Sequence, residues 1–201
     1  MLDRTQTNLL QAVRDGQDAN AWETFYRIYS TLVRNFARRM GLSDADTEDV
    51  VQDVLIAVHK SLRDNVYDRS QGAFHAWLYG ITRRQALAKL RERNRRTRAQ
   101  GVAEETGADL LDQIEDSNTE DEALALWRQE WRYALLDEAL RHVQTVTGEK
   151  EFQAFMMHAM QKQSADDVAA ALGIAVASVY VYKRRVLTAV RQWIQQFEAE
   201  E

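Results

Sequence analysis

No proline interrupts the 201 residues of this chain, and only eight glycines do. Without proline, no residue removes a helix hydrogen bond or forces a kink. Alanine, leucine, glutamine, arginine and glutamate, all good helix formers, are abundant. No run of alternating β-branched residues bounded by turn residues is found. The chain is expected to be all-α, with its glycines and polar clusters marking the helix boundaries.

Residues 7–15 predict a short first helix, with Leu9, Leu10 and Val13 as its apolar face and Gly16 as its end. Trp22, Phe25, Ile28, Tyr29, Leu32, Val33 and Phe36 then recur at steps of three and four. Gly41 ends that second helix, after Arg38 and Arg39, which suit its negative terminus. Ser43 reads as the N-cap of a third helix with the stripe Val50, Val51, Val54, Leu55, Val58 and Leu62. The macrodipole accounts for Asp44, Asp46 and Glu48 in its first turns. It accounts less well for Asp49, Gln52 and Asp53, which lie further along. Residues 63–72 are polar and read as a loop.

From Phe74 to Arg98 an apolar half is followed by a basic one. Phe74, Trp77, Leu78 and Ile81 keep helical spacing. Arg83, Arg84, Lys89, Arg91, Arg93, Arg95, Arg96 and Arg98 follow, against a single acid, Glu92. Cations at that density face solvent or a polyanion. They make either the solvated tail of a core helix or a nucleic-acid surface in which arginines hold phosphates and rings stack on bases. A net charge of −5 and a pI near 5.5 argue against a generally basic coat protein, so any such binding is local.

Between Ala99 and Trp127 the balance inverts, with acids from Glu104 to Glu122 and no lysine or arginine. This reads as a linker. A second helical domain follows, with Leu124, Trp127, Trp131, Leu135, Leu136, Leu140 and Val143 in period, then a helix after Gly148 holding Phe152, Phe155, Met156 and Met160. Next, Ser164 is an N-cap candidate, Val168, Ala169 and Leu172 form a short apolar face, and Gly173 permits a tight turn. A longer helix has Val179, Tyr182, Val186, Val190 and Ile194 inward. Helix, glycine turn, helix and a cationic exit is a helix-turn-helix pattern, though alanine-rich hairpins also occur as plain structure. In the DNA-binding reading, Ser178, Tyr180, Val181 and Lys183 face the groove, and Arg184, Arg185 and Arg191 face phosphates.

With no cysteine and four scattered histidines, the chain offers no disulfide, thiolate site or metal-ligand pair, and no metal or cofactor is expected. There is no glycine-rich phosphate loop and no nucleophile with a base at matched spacing, so an enzyme is the least favoured class. Asp166 and Asp167 read as first-turn residues of their helix. No stretch is long and apolar enough to span a bilayer, and a soluble cytoplasmic protein is expected.

The residues now described resemble the extracytoplasmic-function (ECF) sigma factors, the minimal bacterial type with only conserved regions 2 and 4. AWETFYRIYSTLVRNFARRMG resembles the start of region 2, and DADTEDVVQDVLIAV its polymerase-binding helix. FHAWLYGITRRQALAKLRERNRR resembles the promoter-melting segment, and QSADDVAAALGIAVASVYVYKRRVLTAVRQ the region 4 helix-turn-helix. The resemblance implies a region 2-like domain over residues 1–98, an acidic linker over 99–119 and a region 4-like domain over 120–201. It implies core RNA polymerase and promoter DNA as partners. Asp46, Glu48, Asp49, Gln52 and Asp53 would dock on polymerase. Tyr67 and Phe74 would stack on opened bases, with Arg83, Arg84, Arg91 and Arg95 beside them. Trp77 and Ile81 are assigned to the core, since packing explains their spacing. The acidic linker would follow the path of the nascent RNA.

Three departures stand out. Arg84 occupies the place of the family's usual asparagine, Tyr180 and Tyr182 replace a usual lysine and arginine, and region 4 lacks its usual proline-containing first loop. Such factors are commonly restrained by an anti-sigma protein, and some by a regulatory kinase, for which Thr47 in the acidic string is one candidate target. Two rivals remain: a stand-alone helix-turn-helix regulator of duplex DNA, and a protein-interaction module whose basic helix and acidic linker pair with each other.

Overall fold

The structure, a computed structural model, describes residues 6–16, 18–64, 66–68, 70, 72–99 and 117–198. Eight α-helices and no strand occur among them: α1 (Gln6–Asp15), α2 (Ala19–Arg39), α3 (Asp44–Arg63), α4 (Phe74–Ala99), α5 (Ser117–Val146), α6 (Glu149–Phe155), α7 (Ala165–Leu172) and α8 (Val176–Glu198). The all-α expectation holds. Of the acidic segment 99–119, residues 100–116 lie outside the described residues. Two compact units divide the chain, and the division falls inside α5, between Ala134 and Leu135.

In the first unit each helix starts where the local chemistry allows. The Asp18 carboxylate caps α2 by accepting from the Asn20 and Ala21 amides at 3.0 and 3.1 Å. Ser43 caps α3, accepting from the Asp46 amide at 3.2 Å while its hydroxyl donates to the Asp46 carboxylate at 2.7 Å. Between them Gly41 takes φ +86°, a left-handed turn that glycine adopts without strain.

The periodic residues of α2 and α3 form the core as spaced. Phe25, Tyr29, Leu32, Val33 and Phe36 of α2 and Val50, Val54 and Val58 of α3 are fully buried. Each such apolar side chain contributes about 1.5–3 kcal/mol. Thr47 joins that stripe at 0 % exposed, with its hydroxyl buried and unpaired. The expectation that Thr47 offers a kinase target is thereby corrected, because its side chain faces the core.

The first half of α5 belongs to this same unit. Trp127 is fully buried, its ring 5.2 Å from Phe36 and 5.7 Å from Tyr79. Trp131 stacks on Tyr29 at 5.7 Å and on His75 at 5.8 Å. Between the two tryptophans, Glu130 is 3 % exposed and stands 2.9 Å from the Arg39 guanidinium. That contact is an ion pair rather than an aligned hydrogen bond.

The second unit has two adjoining apolar clusters. Ala139, Val143, Phe155, Val186 and Val190 make one. Ala154, Ala165, Val168, Ala169 and Val179 make the other, with Ile174 and Tyr182 packed against it. Ser164 caps α7, accepting from the Asp167 amide at 3.1 Å and donating to its carboxylate at 2.6 Å. Gly173 ends α7 in the left-handed region at φ +62°, and α8 leaves at 99° to α7. The helix after Gly148 finishes in a π-helical turn, Met156–Met160, which the sequence did not announce.

Candidate protein and nucleic-acid interfaces

The inward stripe of α3 fixes what its opposite face presents. Glu48, Asp49, Gln52, Asp53 and Ile56 are exposed on it, while Asp46 is half-buried and engaged with Ser43. Two of these acids are held from inside the domain. Arg34 grips Glu48 through two parallel bonds, Nε to Oε1 at 2.6 Å and Nη2 to Oε2 at 2.9 Å. Lys89 Nζ donates to Asp49 Oδ2 at 2.7 Å.

These bonds shift the titrations as expected. The Arg34 hydrogen bond holds the Glu48 carboxyl below its ordinary 4.5. Asp49 in turn raises Lys89 above its ordinary 10.5, with Glu92 and Asp53 adding to the effect. Among the described residues Gln52 and Asp53 close no such bond of their own. Arg34 and Lys89 thus orient two acids, and Gln52 and Asp53 are left open to an outside partner.

A groove of about 660 Å³ runs beside this acidic face, between α2 and α3. Trp22, Tyr26, Leu55, Ile56 and His59 line it, with Glu48 and Gln52 along it. Tyr26 and Ile56 are each 46 % exposed and, with Trp22 beside them, put apolar surface next to the charged face. Sequence reasoning missed the groove. Its signal was Ile56, placed four residues after Gln52 and outside the buried stripe.

On α4 the aromatic end differs from expectation. Phe74 is 2 % exposed, its ring 5.1 Å from Tyr29 and 6.0 Å from Phe25, so it is a core ring and not a stacking platform. Tyr67 and Trp77, both half-buried, lie over it. Their centroids are 5.2 Å apart, and the Tyr67 hydroxyl donates to the Gly72 carbonyl at 3.1 Å. Trp77, expected in the core, keeps part of its ring at the surface, and Ile81 is also half-buried.

Arg84, Arg91 and Arg95 are exposed, and steps of seven and four residues bring them onto one face of α4. Trp77, seven residues before Arg84, shares that face. Arg83 is turned aside, half-buried with its Nε out of solvent. Arg93 donates to the Gly41 carbonyl at 2.8 Å and, with Lys89, ties α4 to its own domain. One face of α4 therefore offers rings followed by arginines, the chemistry of an unpaired nucleic-acid strand.

In the second unit, Tyr180 and Val181 of α8 are exposed, as are Arg184 and Arg185. Ser178 and Lys183 are half-buried. Tyr180, Lys183, Arg184, Leu187, Thr188 and Arg191 line a shallow depression of about 500 Å³. Tyr182 points the other way, into the cluster around Val179.

Residues 25–96 match the family model for sigma-70 region 2. The match covers most of α2, all of α3 and nearly all of α4, the helices that carry the acidic face and the arginine face. These residues, about a third of the chain, are similar to region 2 of the sigma-70 factors, a domain type that acts in transcription initiation. A search of curated proteins found no match. Among the described residues no group of histidine and carboxylate side chains is placed to hold a metal ion, and no single helix is long and apolar enough to cross a membrane.

Proposed function

We propose that this chain is an ECF-type sigma factor, working through three surfaces. The α3 face, with Gln52 and Asp53 foremost and the Tyr26–Ile56 groove beside them, docks on a basic surface of core polymerase. Exposed acids steer that encounter, and the adjoining groove supplies apolar area that charge alone cannot. The α4 face holds the opened downstream promoter strand, with Tyr67 and Trp77 against bases and Arg84, Arg91 and Arg95 on backbone. One stacked base is worth about 1–3 kcal/mol, comparable to the cost of unstacking a step, so opening needs several such contacts on a platform held by polymerase. The α7–α8 pair is the helix-turn-helix, with the start of α8 in the major groove of upstream duplex DNA.

The observation that carries this reading is the presence of two unlike faces on one region 2 domain, acids with a groove on α3 and rings with arginines on α4. A duplex-only regulator leaves the α3 face without a use.

Titration of purified core polymerase with the chain separates the two faces. Asp53→Lys is expected to weaken core binding about tenfold or more. Arg91→Glu is expected to leave core binding within about twofold while reducing capture of a single-stranded downstream fragment by the assembled complex. Core binding unchanged by Asp53→Lys contradicts the docking surface.

A further inference from the structure

The reading of α8 as a groove helix leaves open what it recognises, and the following inference rests on that reading. The first residues of α8 are unusual for a surface that reads bases by hydrogen bonding. From Val176 to Tyr182 there is no arginine, lysine, asparagine or glutamine. Instead, Val176 is 38 %, Tyr180 57 % and Val181 45 % exposed. Ser178, the short hydroxyl of the stretch, is half-buried. The cations begin only at Lys183, further from the N-terminal end that enters a groove. In the major groove the base feature that rewards an apolar side chain is the C5 methyl of thymine.

Tyr180 is also held in place. The His158 ring meets it edge-on, centroids 5.5 Å apart at 84°. His158 is pinned in turn, with Nδ1 2.9 Å from the Gln163 carbonyl, so that Nδ1–H donates. The π turn at Met156–Met160 brings His158 to this position. Its exit is closed by the Gln161 amide donating to the Met156 carbonyl and the Gln163 amide to that of Met157. Between them Lys162 takes φ +59°, a conformation uncommon outside glycine. A π turn and a left-handed lysine thus hold the ring that abuts the most exposed aromatic side chain of α8.

We propose that α8 reads thymine methyl groups in its upstream duplex through Tyr180 and Val181, and that His158 is the positioning residue for Tyr180. Lys183, Arg184 and Arg191 then serve the phosphates flanking that contact.

The test uses the complex of core polymerase with the full chain and a promoter duplex that it transcribes. Upstream thymines are replaced one at a time by deoxyuridine, which removes only the methyl group. Wild type is expected to lose about fourfold in affinity at one or two positions, the worth of a buried methyl group. Tyr180→Ala is expected to erase the thymine–deoxyuridine difference at one of them. His158→Ala should at least halve that difference, and His158→Phe, which keeps the ring, should restore most of it. Equal binding of thymine and deoxyuridine duplexes at every position, or differences that all survive Tyr180→Ala, overturns the inference. Arg184→Glu serves as the control for the underlying reading. If it weakens binding to all duplexes and no methyl effect appears, the inference alone falls. If it changes nothing, the groove placement of α8 falls and takes the inference with it.

Discussion

Thr47 carries a hydroxyl that the fold does not pair. It lies at 0 % exposure on the inner stripe of α3, beside Val50 and Val51. Leaving a buried hydroxyl unpaired costs about 1–3 kcal/mol, whereas an apolar group of the same shape has no such cost. Thr47→Val is therefore expected to raise stability by about 1 kcal/mol in urea unfolding, and Thr47→Glu to lower it severely. A destabilised valine variant would mean that the hydroxyl has a partner in solution. The same residue shows what a sequence conceals. Its neighbours are acids, so the string reads as surface, yet its helical position is set by Val50, Val51 and Val54, which turn it inward. Phe74 is similar. Spacing places it on a stripe with Trp77, Leu78 and Ile81, but Phe25 and Tyr29 of another helix decide that it is covered while Trp77 is not.

At the scale of the element, α5 has the clearest consequence. Trp127 and Trp131 sit against α2 and α4 in the first unit, while Ala139 and Val143 of the same helix lie in a cluster of the second. Trp127→Ala is expected to cost the first unit about 3–5 kcal/mol, by loss of a fully buried indole and the cavity left behind. Thermal unfolding followed at a probe on α2 checks this, and a change below about 1 kcal/mol would show that the first half of α5 is not part of that core. Helix boundaries were largely legible. Ser43, Gly41, Ser164 and Gly173 each do what their chemistry dictates, because caps and left-handed turns are local decisions. The partner of a helix is not local. Period places Trp127 and Trp131 on one face of α5, but no spacing says which core receives them. The π turn was illegible for the same reason, since MMHAM carries no glycine or proline to mark it.

For the whole molecule, the proposed function rests on keeping unlike charges on separate faces of a chain that is acidic in total. The α3 acids and the α4 arginines belong to adjacent helices, and Lys89–Asp49 and Arg34–Glu48 neutralise the cations and acids that would otherwise blur the two surfaces. That arrangement was partly legible, since the order of acidic helix, aromatic segment and basic helix is written in the sequence. The groove and the inward turn of Arg83 were not, because the groove depends on how α2 and α3 pack and the turn of Arg83 on how α4 does. The central claim is that these faces let polymerase start transcription where it otherwise does not. Purified core polymerase, with and without this chain, should be assayed across a library of genomic promoter fragments. The account predicts discrete transcripts that require the chain and disappear with Asp53→Lys. Transcripts that are the same with and without the chain, or that persist undiminished with Asp53→Lys, would contradict it.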